Sequence, residues 1–175
     1  MKKENEEYVK DLLKKYNPDI LVITGHDSFS RTKRTKYKNT SSFVNAIVEA
    51  RKYEKSHDSY NKKGIKELQN YRNTIDYVEA VKQIRKHYSK DHIFVFAGAC
   101  QSNYEELIKA GANFASSPKR INIHALDPAI VASCLSFSNK NSDIDIIKIL
   151  EKTKYGSDGM GGIITKGSMY IGYPR

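Results

Sequence analysis

The sequence of 175 residues predicts a single α/β domain with a mostly parallel sheet flanked by helices. Two short apolar runs, 19–24 and 92–97, are rich in β-branched and aromatic residues and are typical of parallel strands buried on both faces. Amphipathic segments with helical spacing alternate with these runs. This alternation favours parallel strands covered by helices, and the length fits one hydrophobic core.

Helices of the first half are predicted from the spacing of apolar residues. A first helix spans about 4–16. It ends at Asn17-Pro18, because a proline disfavours helical backbone at the residue before it. Segments 37–53 and 71–87 resemble each other, and both predict amphipathic helices. We interpret about 28–70 as a basic loop with an extra helical insertion inside one domain spanning 1–175. Two copies are fewer than a helical array usually needs.

The chain after the second apolar run predicts a short helix and two short strands. Ser102 and Glu105 match a capping box that begins the helix, and Gly111 predicts its end. Segments 112–115 and 121–125 are candidate strands.

The last third predicts two helices and a hairpin. Asp127-Pro128 indicates an N-cap followed by the first residue of a helix, which we predict to run to about Leu135. Ser142 predicts the start of another helix. A hairpin over 163–171 is expected to turn at Lys166-Gly167.

Positive charge is concentrated in one part of the chain. The formal net charge is +10, with 30 basic and 20 acidic side chains. Residues 26–92 carry +8 of it, whereas 1–25 are neutral and 93–175 carry +2. A dense basic patch is formed by Arg31, Lys33, Arg34, Lys36 and Lys38. It permits a nucleic-acid function, but no recognisable binding motif accompanies it, so a nucleic-acid partner is not expected.

The sequence has no evident membrane span or signal peptide, and it has only two cysteines. No apolar run approaches the roughly 20 residues that a membrane span needs, and the charged start MKKENEEYVK lacks the apolar core of a signal peptide. Two cysteines, Cys100 and Cys134, cannot form a disulfide framework. We therefore expect a soluble intracellular protein that does not associate with membranes.

Reactive side chains follow both predicted strands. The first strand ends at Gly25-His26-Asp27 and the second at Gly98-Ala99-Cys100. Carboxyl ends of parallel strands share the edge at which active sites of such sheets lie. A histidine can activate a thiol as base and protonate the leaving group as acid, and a helix starting after the thiol favours thiolate. Cys100 is thus the candidate nucleophile and His26 the general base and acid. Cys134, inside an apolar helix, is expected in the core.

The small residues around this pair are candidate oxyanion and cleft positions. Gly25 and Gly98 let a substrate backbone approach closely, and Asp27 and Ala99 belong to the same two turns.

A competing hydrolase interpretation uses a different base. Gly98 to Ser102 resembles the G-x-C-x-[GS] elbow of class I amidotransferase-like or DJ-1-like folds, in which the base follows the cysteine. That pattern nominates His124 instead of His26. Other histidines, His57, His87 and His92, lie in polar stretches, so no metal site and no cofactor are predicted.

Five motifs resemble one known family over nearly the whole chain: GHD (25–27), FAGACQS (96–102), GANFASSP (111–118), INIHALDP (121–128) and the terminal glycine-rich GGI…KG…GYP (161–174). They are similar to YabG, the sporulation-specific peptidases of spore-forming Firmicutes. The resemblance implies a cysteine peptidase that cleaves spore coat and cortex proteins after arginine, in the mother cell or on the forming spore. The family's His and Cys carry over onto His26 and Cys100.

The chain departs from that family in two places. The resemblance implies an N-terminal region ahead of the catalytic part, which we do not expect in this sequence, and the interval from His26 to Cys100 is longer than usual. The extra helical copy accounts for the second departure.

Cleavage after arginine implies a carboxylate in the first specificity pocket, ideally bidentate to guanidinium. Asp127 and Asp27 are the candidates, with Asp158 a third option. Asp127 could instead cap a helix, and Asp27 could instead orient His26. The turn at Ser116-Ser117 is expected to line the cleft.

The layout also resembles caspases and gingipains, at the level of architecture only. That analogy implies oxyanion donors from the backbone N–H groups of Cys100 and Asp27. A non-catalytic alternative is a basic spore or nucleic-acid-binding protein that uses its 12 tyrosines. The basic patch offers Arg31 and Arg34 as candidate self-processing sites.

Overall fold

A computed structural model describes residues 2–29, 64 and 67–170. The basic patch and the first copy of the repeated segment lie outside the described residues. The described elements are α1 (Lys2–Tyr16), β1 (Ile20–Ile23), a 3₁₀ turn (Leu68–Asn70), α2 (Thr74–Arg85), β2 (Phe94–Ala97), α3 (Tyr104–Ala110), β3 (Phe114–Ser116), α4 (Asp127–Ser136), α5 (Ile146–Leu150), α6 (Gly156–Gly159) and β4 (Met160–Gly162). The predicted α/β class is confirmed.

The four strands form one mixed sheet in the order β1-β2-β3-β4. β1, β2 and β3 are parallel, and β4 is antiparallel to β3. Ile23 pairs with Ala97, and Ala97 pairs in turn with Ala115. The carboxyl ends of the three parallel strands therefore share one edge, as the sequence predicts.

β2 divides the core into two clusters because successive side chains of a strand point to opposite faces. Val95 and Ala97 belong to a cluster with side chains of α1, α2 and α3. Phe94 and Phe96 belong to the other cluster, with side chains of α4, α5 and β4. On that second face Phe96 stacks on Phe114, with ring centroids 4.7 Å apart and planes 5° apart. The sheet is thus covered by helices on both faces.

β1 is not buried on both faces, contrary to the prediction. It lies at one end of the strand order and is only partly covered, and the side chain of Val22 is 38% exposed. A central strand and an edge strand can have the same apolar composition, so composition did not distinguish them. β2, in contrast, is fully buried as predicted.

The capping box at Ser102 is displaced by one residue. Asn103 is the residue that caps α3, its side chain accepting the backbone N–H of Glu106, because Ser102 is engaged elsewhere. Gly111 ends α3 in the left-handed conformation at φ 114°, as predicted.

Three further expectations from the last third are corrected. Segment 121–125 forms no strand. Asp145, rather than Ser142, caps α5 by accepting the N–H of Lys148. The described part of 163–171 forms no hairpin: Lys166 and Met169 instead make isolated bridges to segment 139–143. Backbone pairing with segment 139–144 thus replaces the local turn pairing.

Candidate active site

Strand register brings His26 and Cys100 to the same edge of the sheet. Ile23 and Ala97 are the last paired residues of β1 and β2. His26 and Cys100 each follow their strand's last paired residue at the same interval of three positions. The predicted juxtaposition of these two turns is therefore present in the backbone.

Cys100 lies at the start of a tight turn and is partly buried. Its Sγ donates to the backbone carbonyl of Ile123 across 3.7 Å. The thiol consequently contacts the segment that also carries His124. The positive-φ residues around it are Gly98 at 103° and Gln101 at 57°, whereas Cys100 itself is not among them. A nucleophile elbow strains the backbone at the nucleophile, so this turn differs from that motif.

Gln101 fastens the turn to its surroundings, a role that sequence reasoning missed. Its backbone N–H reaches both the carbonyl of Ile121 and the hydroxyl of Ser117. Its side chain accepts from the N–H of Phe29 and donates to Asn122. Gln101 thus ties together the loop after β1 and the segment after β3.

His26 is exposed, and its backbone holds it in place. Its carbonyl accepts from Nδ2 of Asn73 at 2.5 Å and from the hydroxyl of Tyr77 at 3.3 Å. Within the described part of the chain the imidazole has no hydrogen-bond partner. The ring is therefore free to face a substrate or the thiol.

Asp27 is buried, with 1% of its surface exposed. Oδ1 accepts from the N–H groups of Ser28 and Asn73, each at 2.8 Å. Oδ2 accepts from the hydroxyls of Ser102, at 2.9 Å, and Thr74. The carboxylate is thus engaged with four donors, and none of them is the imidazole of His26.

Of the four predicted cleft positions, two have their N–H groups occupied. Gly98 donates to the carbonyl of Ile23, and Ala99 donates to the hydroxyl of Ser102. The N–H groups of Asp27 and Cys100, in contrast, meet no acceptor among the described residues. The two turns that carry the proposed dyad therefore each hold one unpaired N–H donor among the described residues.

Tyr77, which the sequence did not single out, lies at this edge. Burial raises the pKa of its phenol, and the nearby charges of Asp27, Asp76 and Cys100 raise it further. The phenol is therefore a neutral donor at physiological pH. Asn73 and Thr74, which begin α2, were missed as well, although the Asn-Thr pair recurs in both copies of the repeated segment.

Most residues predicted to bind the substrate arginine or line the cleft are buried. Asp127 is 1% exposed, and its two oxygens accept the N–H groups of His124 and Lys154 at 3.0 Å each. Ser117 is buried and donates to the carbonyl of Ile121, and Ser116 is buried against the sulfur of Met160. Asp158 is exposed.

Cys134 lies on α4, partly buried against the second core cluster, with Nζ of Lys152 at 3.7 Å from its sulfur. The described residues hold no group of three or more His, Cys, Asp and Glu side chains suited to a metal ion. No helix among them is both long and apolar enough to cross a membrane.

Two comparisons with known proteins, one with family models and one with curated relatives, lead to the same family. The family model for YabG peptidase U57 matches residues 1–61 and 56–174. The chain is 41% identical over 167 residues to the sporulation-specific protease YabG of Bacillus subtilis (strain 168), a match covering 95% of this chain. The chain spans about half, 48%, of that relative's length. No solved structure matches the chain. Since the family model covers most of the sequence, the chain belongs to the YabG peptidase U57 family.

Proposed function

We propose that this chain is the catalytic part of a cysteine endopeptidase, with Cys100 as nucleophile and His26 as general base and acid. The observation that carries the proposal is the register of β1 and β2, which sets the two turns side by side at the carboxyl edge of the sheet. Membership of a peptidase family supports proteolysis as the reaction.

In the proposed reaction His26 takes the thiol proton and the thiolate of Cys100 attacks the scissile carbonyl. The imidazolium then returns the proton to the leaving amine, and water releases the acyl group from the sulfur. The unpaired N–H groups of Cys100 and Asp27 are the proposed donors to the oxyanion. The positions that side chains on Gly25 and Gly98 would take are filled by Tyr77 and Leu107, so these two glycines would serve the packing of the turns rather than the approach of substrate.

Arginine specificity is proposed to reside in Asp127. Its carboxylate holds the N–H of His124, the residue after Ile123, whose carbonyl contacts the thiol. Each of its oxygens accepts one described hydrogen bond and keeps one lone pair, but the carboxylate is 1% exposed, so a guanidinium would reach it only after the surrounding segments move apart. Asp158 is the exposed alternative. Ser116 and Ser117 would shape the cleft from behind the turn rather than contact the substrate through their engaged hydroxyls.

The proposed substrates are Arg-containing coat and cortex proteins of a forming spore, and the proposed place of action is the mother cell or the spore surface. The relative's name, sporulation-specific protease, supports this context. No cofactor and no nucleic acid enter the proposed reaction.

The decisive experiment labels the purified chain with an arginyl chloromethyl ketone and locates the modified residue by mass spectrometry. We expect modification of Cys100 and none of Cys134. Cys100→Ala should lower hydrolysis of an arginyl ester by roughly 10⁴-fold or more while its melting temperature stays near that of wild type. Cys134→Ala is the matched control and should retain activity. Wild-type chain that leaves both the ester and an Arg-rich protein intact would contradict the proposal.

A second candidate base rests on one contact. The thiol of Cys100 donates to the carbonyl of Ile123, so His124 is carried by a segment that contacts the sulfur. A cysteine hydrolase of amidotransferase-like or DJ-1-like type would use it in place of His26. Loss of activity in His124→Ala with retention in His26→Ala would select this alternative.

A further inference from the structure

We propose that Asp27 is a positioning residue that holds the turn carrying Cys100 against the turn carrying His26. The inference deepens the proposed function and rests on it. The carboxylate follows His26 directly, yet its hydrogen bonds go to the start of α2 and to the turn after β2 rather than to the imidazole.

Two chains of hydrogen bonds run from this carboxylate to either side of Cys100. In the first, the hydroxyl of Ser102 donates to Asp27 and accepts the N–H of Ala99, both at 2.9 Å. In the second, the hydroxyl of Thr74 donates to Asp27 and accepts the N–H of Asn103 at 3.0 Å. The backbone is thereby fixed at Ala99, directly before Cys100, and at Asn103, where α3 is capped.

The charge of Asp27 is balanced by dipoles. Its described hydrogen-bond donors are two backbone N–H groups and two hydroxyls, none of them from a basic side chain. One N–H belongs to Asn73, the residue before α2, where the positive end of the helix dipole stabilises an anion. Bonds to an ionised acceptor are stronger than neutral ones, so the carboxylate holds these turns more firmly than an amide would.

This engagement argues against a specificity role for Asp27. A guanidinium binding there would have to displace donors that are themselves buried, and unpaired buried donors are costly. Ser102 and Thr74 are fully buried. The geometry therefore favours Asp127 or Asp158 for substrate arginine and Asp27 for positioning.

The test measures the reactivity of Cys100 with iodoacetamide relative to Cys134 in the same molecule, together with kcat and KM for an arginyl ester. Cys134 serves as the internal reference because unfolding exposes both thiols. We expect Asp27→Asn to lower kcat by roughly 10- to 100-fold with little change in KM, since a small misplacement of reacting groups has that cost. The ratio of alkylation rates, Cys100 to Cys134, should fall as well.

Ser102→Ala keeps the carboxylate of Asp27 but breaks one of the two hydrogen-bond chains that run from it. It is the second variant, to be used if Asp27→Asn fails to fold. It should lower kcat in the same direction, and by less than Asp27→Asn. Thr153→Val is the matched control, since it also removes a buried hydroxyl, one that donates only to the nearby carbonyl of Leu150. It should leave the alkylation ratio unchanged.

The outcomes separate the two proposals. A variant of Asp27 or Ser102 that folds and keeps the wild-type alkylation ratio and kcat overturns the positioning role. A rise in KM alone for Asp27→Asn overturns it in favour of substrate binding. Retained hydrolysis in Cys100→Ala refutes the catalytic proposal instead, and the alkylation ratio still reports whether Asp27 controls the Cys100 turn.

Discussion

The hydroxyl oxygen of Tyr77 lies 2.7 Å from the point that a Cβ on Gly25 would occupy. A glycine just before the proposed general base therefore makes room for a phenol that donates to the carbonyl of the next residue, His26. The two positions are complementary, and this relationship can be measured as a coupling between them.

The first prediction concerns this pair. Gly25→Ala should push the phenol away and destabilise the fold by about 1–3 kcal/mol, the usual cost of overpacking. In a Tyr77→Phe background the same change should cost much less, because the clashing oxygen is gone and the ring's Cζ lies 3.8 Å away. Urea unfolding of the four proteins gives the coupling free energy. Strictly additive effects would show that the two residues do not meet.

The second prediction separates steric clash from backbone strain at Gly98. Its φ of 103° is rarely adopted by residues with side chains, and an added Cβ would lie 2.7 Å from Leu107. Gly98→Ala should lower the free energy of unfolding by about 2–4 kcal/mol.

Gly156→Ala is the matched control for Gly98. Gly156 also has a positive φ, 53°, but the nearest atom to its added Cβ is 4.0 Å away. It should cost about 1 kcal/mol, the strain alone. Equal losses in the two variants, measured by thermal unfolding, would show that the Leu107 contact is unimportant.

The sequence predicted the fold where local signals are strong. β2 has four apolar residues in a row and is fully buried. Gly111 ends its helix because a left-handed residue is needed there. β1 was misjudged since its apolar run does not reveal which neighbours flank it. The hairpin over 163–171 failed because Gly167 packs directly against the backbone of Ser138, a contact that local sequence does not encode.

The candidate site was predictable only where local sequence signals are strong. His26 and Cys100 follow strong strand signals, so parallel pairing alone brings their turns together. The side chains that hold these turns, Gln101 and Ser102, act through partners distant in sequence. The hydrogen bond between Asp27 and Ser102 joins residues 75 positions apart. Ser102 matched a local capping pattern, and only the tertiary structure shows that it serves the carboxylate instead.

The third prediction concerns alkaline pH. Burial raises the pKa values of Tyr71, Tyr77 and Tyr104 above the ordinary 10.0. At pH values near and above 10.0, the folded state therefore holds the phenolic protons more tightly than the unfolded state does. The resulting stability is fully present below about pH 10 and is lost as pH rises beyond it. Melting temperatures from about pH 8 to about pH 11 should fall steeply above pH 10.

Phenylalanine variants test the source of that decline. Tyr104→Phe removes one of the three titrating groups and should make the fall shallower. Tyr8→Phe, at a position 64% exposed, is the control and should leave the slope unchanged. An identical slope in both variants would assign the decline to other groups.

The fourth prediction tests His26 as the proposed general base. His26→Ala should lower kcat/KM for an arginyl ester by about 10²- to 10⁴-fold, the usual contribution of a positioned base. His124→Ala should have a much smaller effect, although its segment contacts the thiol. His87→Ala, at an exposed position after the C-terminal end of α2, controls for removal of an exposed imidazole. The reverse order of the first two variants would move the base to His124.

The fifth prediction concerns the backbone strain next to Cys100, the proposed nucleophile. Gln101 has a φ of 57°, a conformation that costs a non-glycine residue of order 1 kcal/mol, and its side chain joins Phe29 and Asn122. Gln101→Ala loses the side-chain bonds and keeps the strain, whereas Gln101→Gly loses the bonds and relieves the strain. Gln101→Gly should therefore be the more stable of the two by about 1 kcal/mol in urea unfolding. Both should lower kcat, because the turn is no longer fastened to the His26 loop. If Gln101→Ala unfolds at the same urea concentration as Gln101→Gly, the backbone at position 101 carries no strain that glycine relieves, and this prediction is wrong.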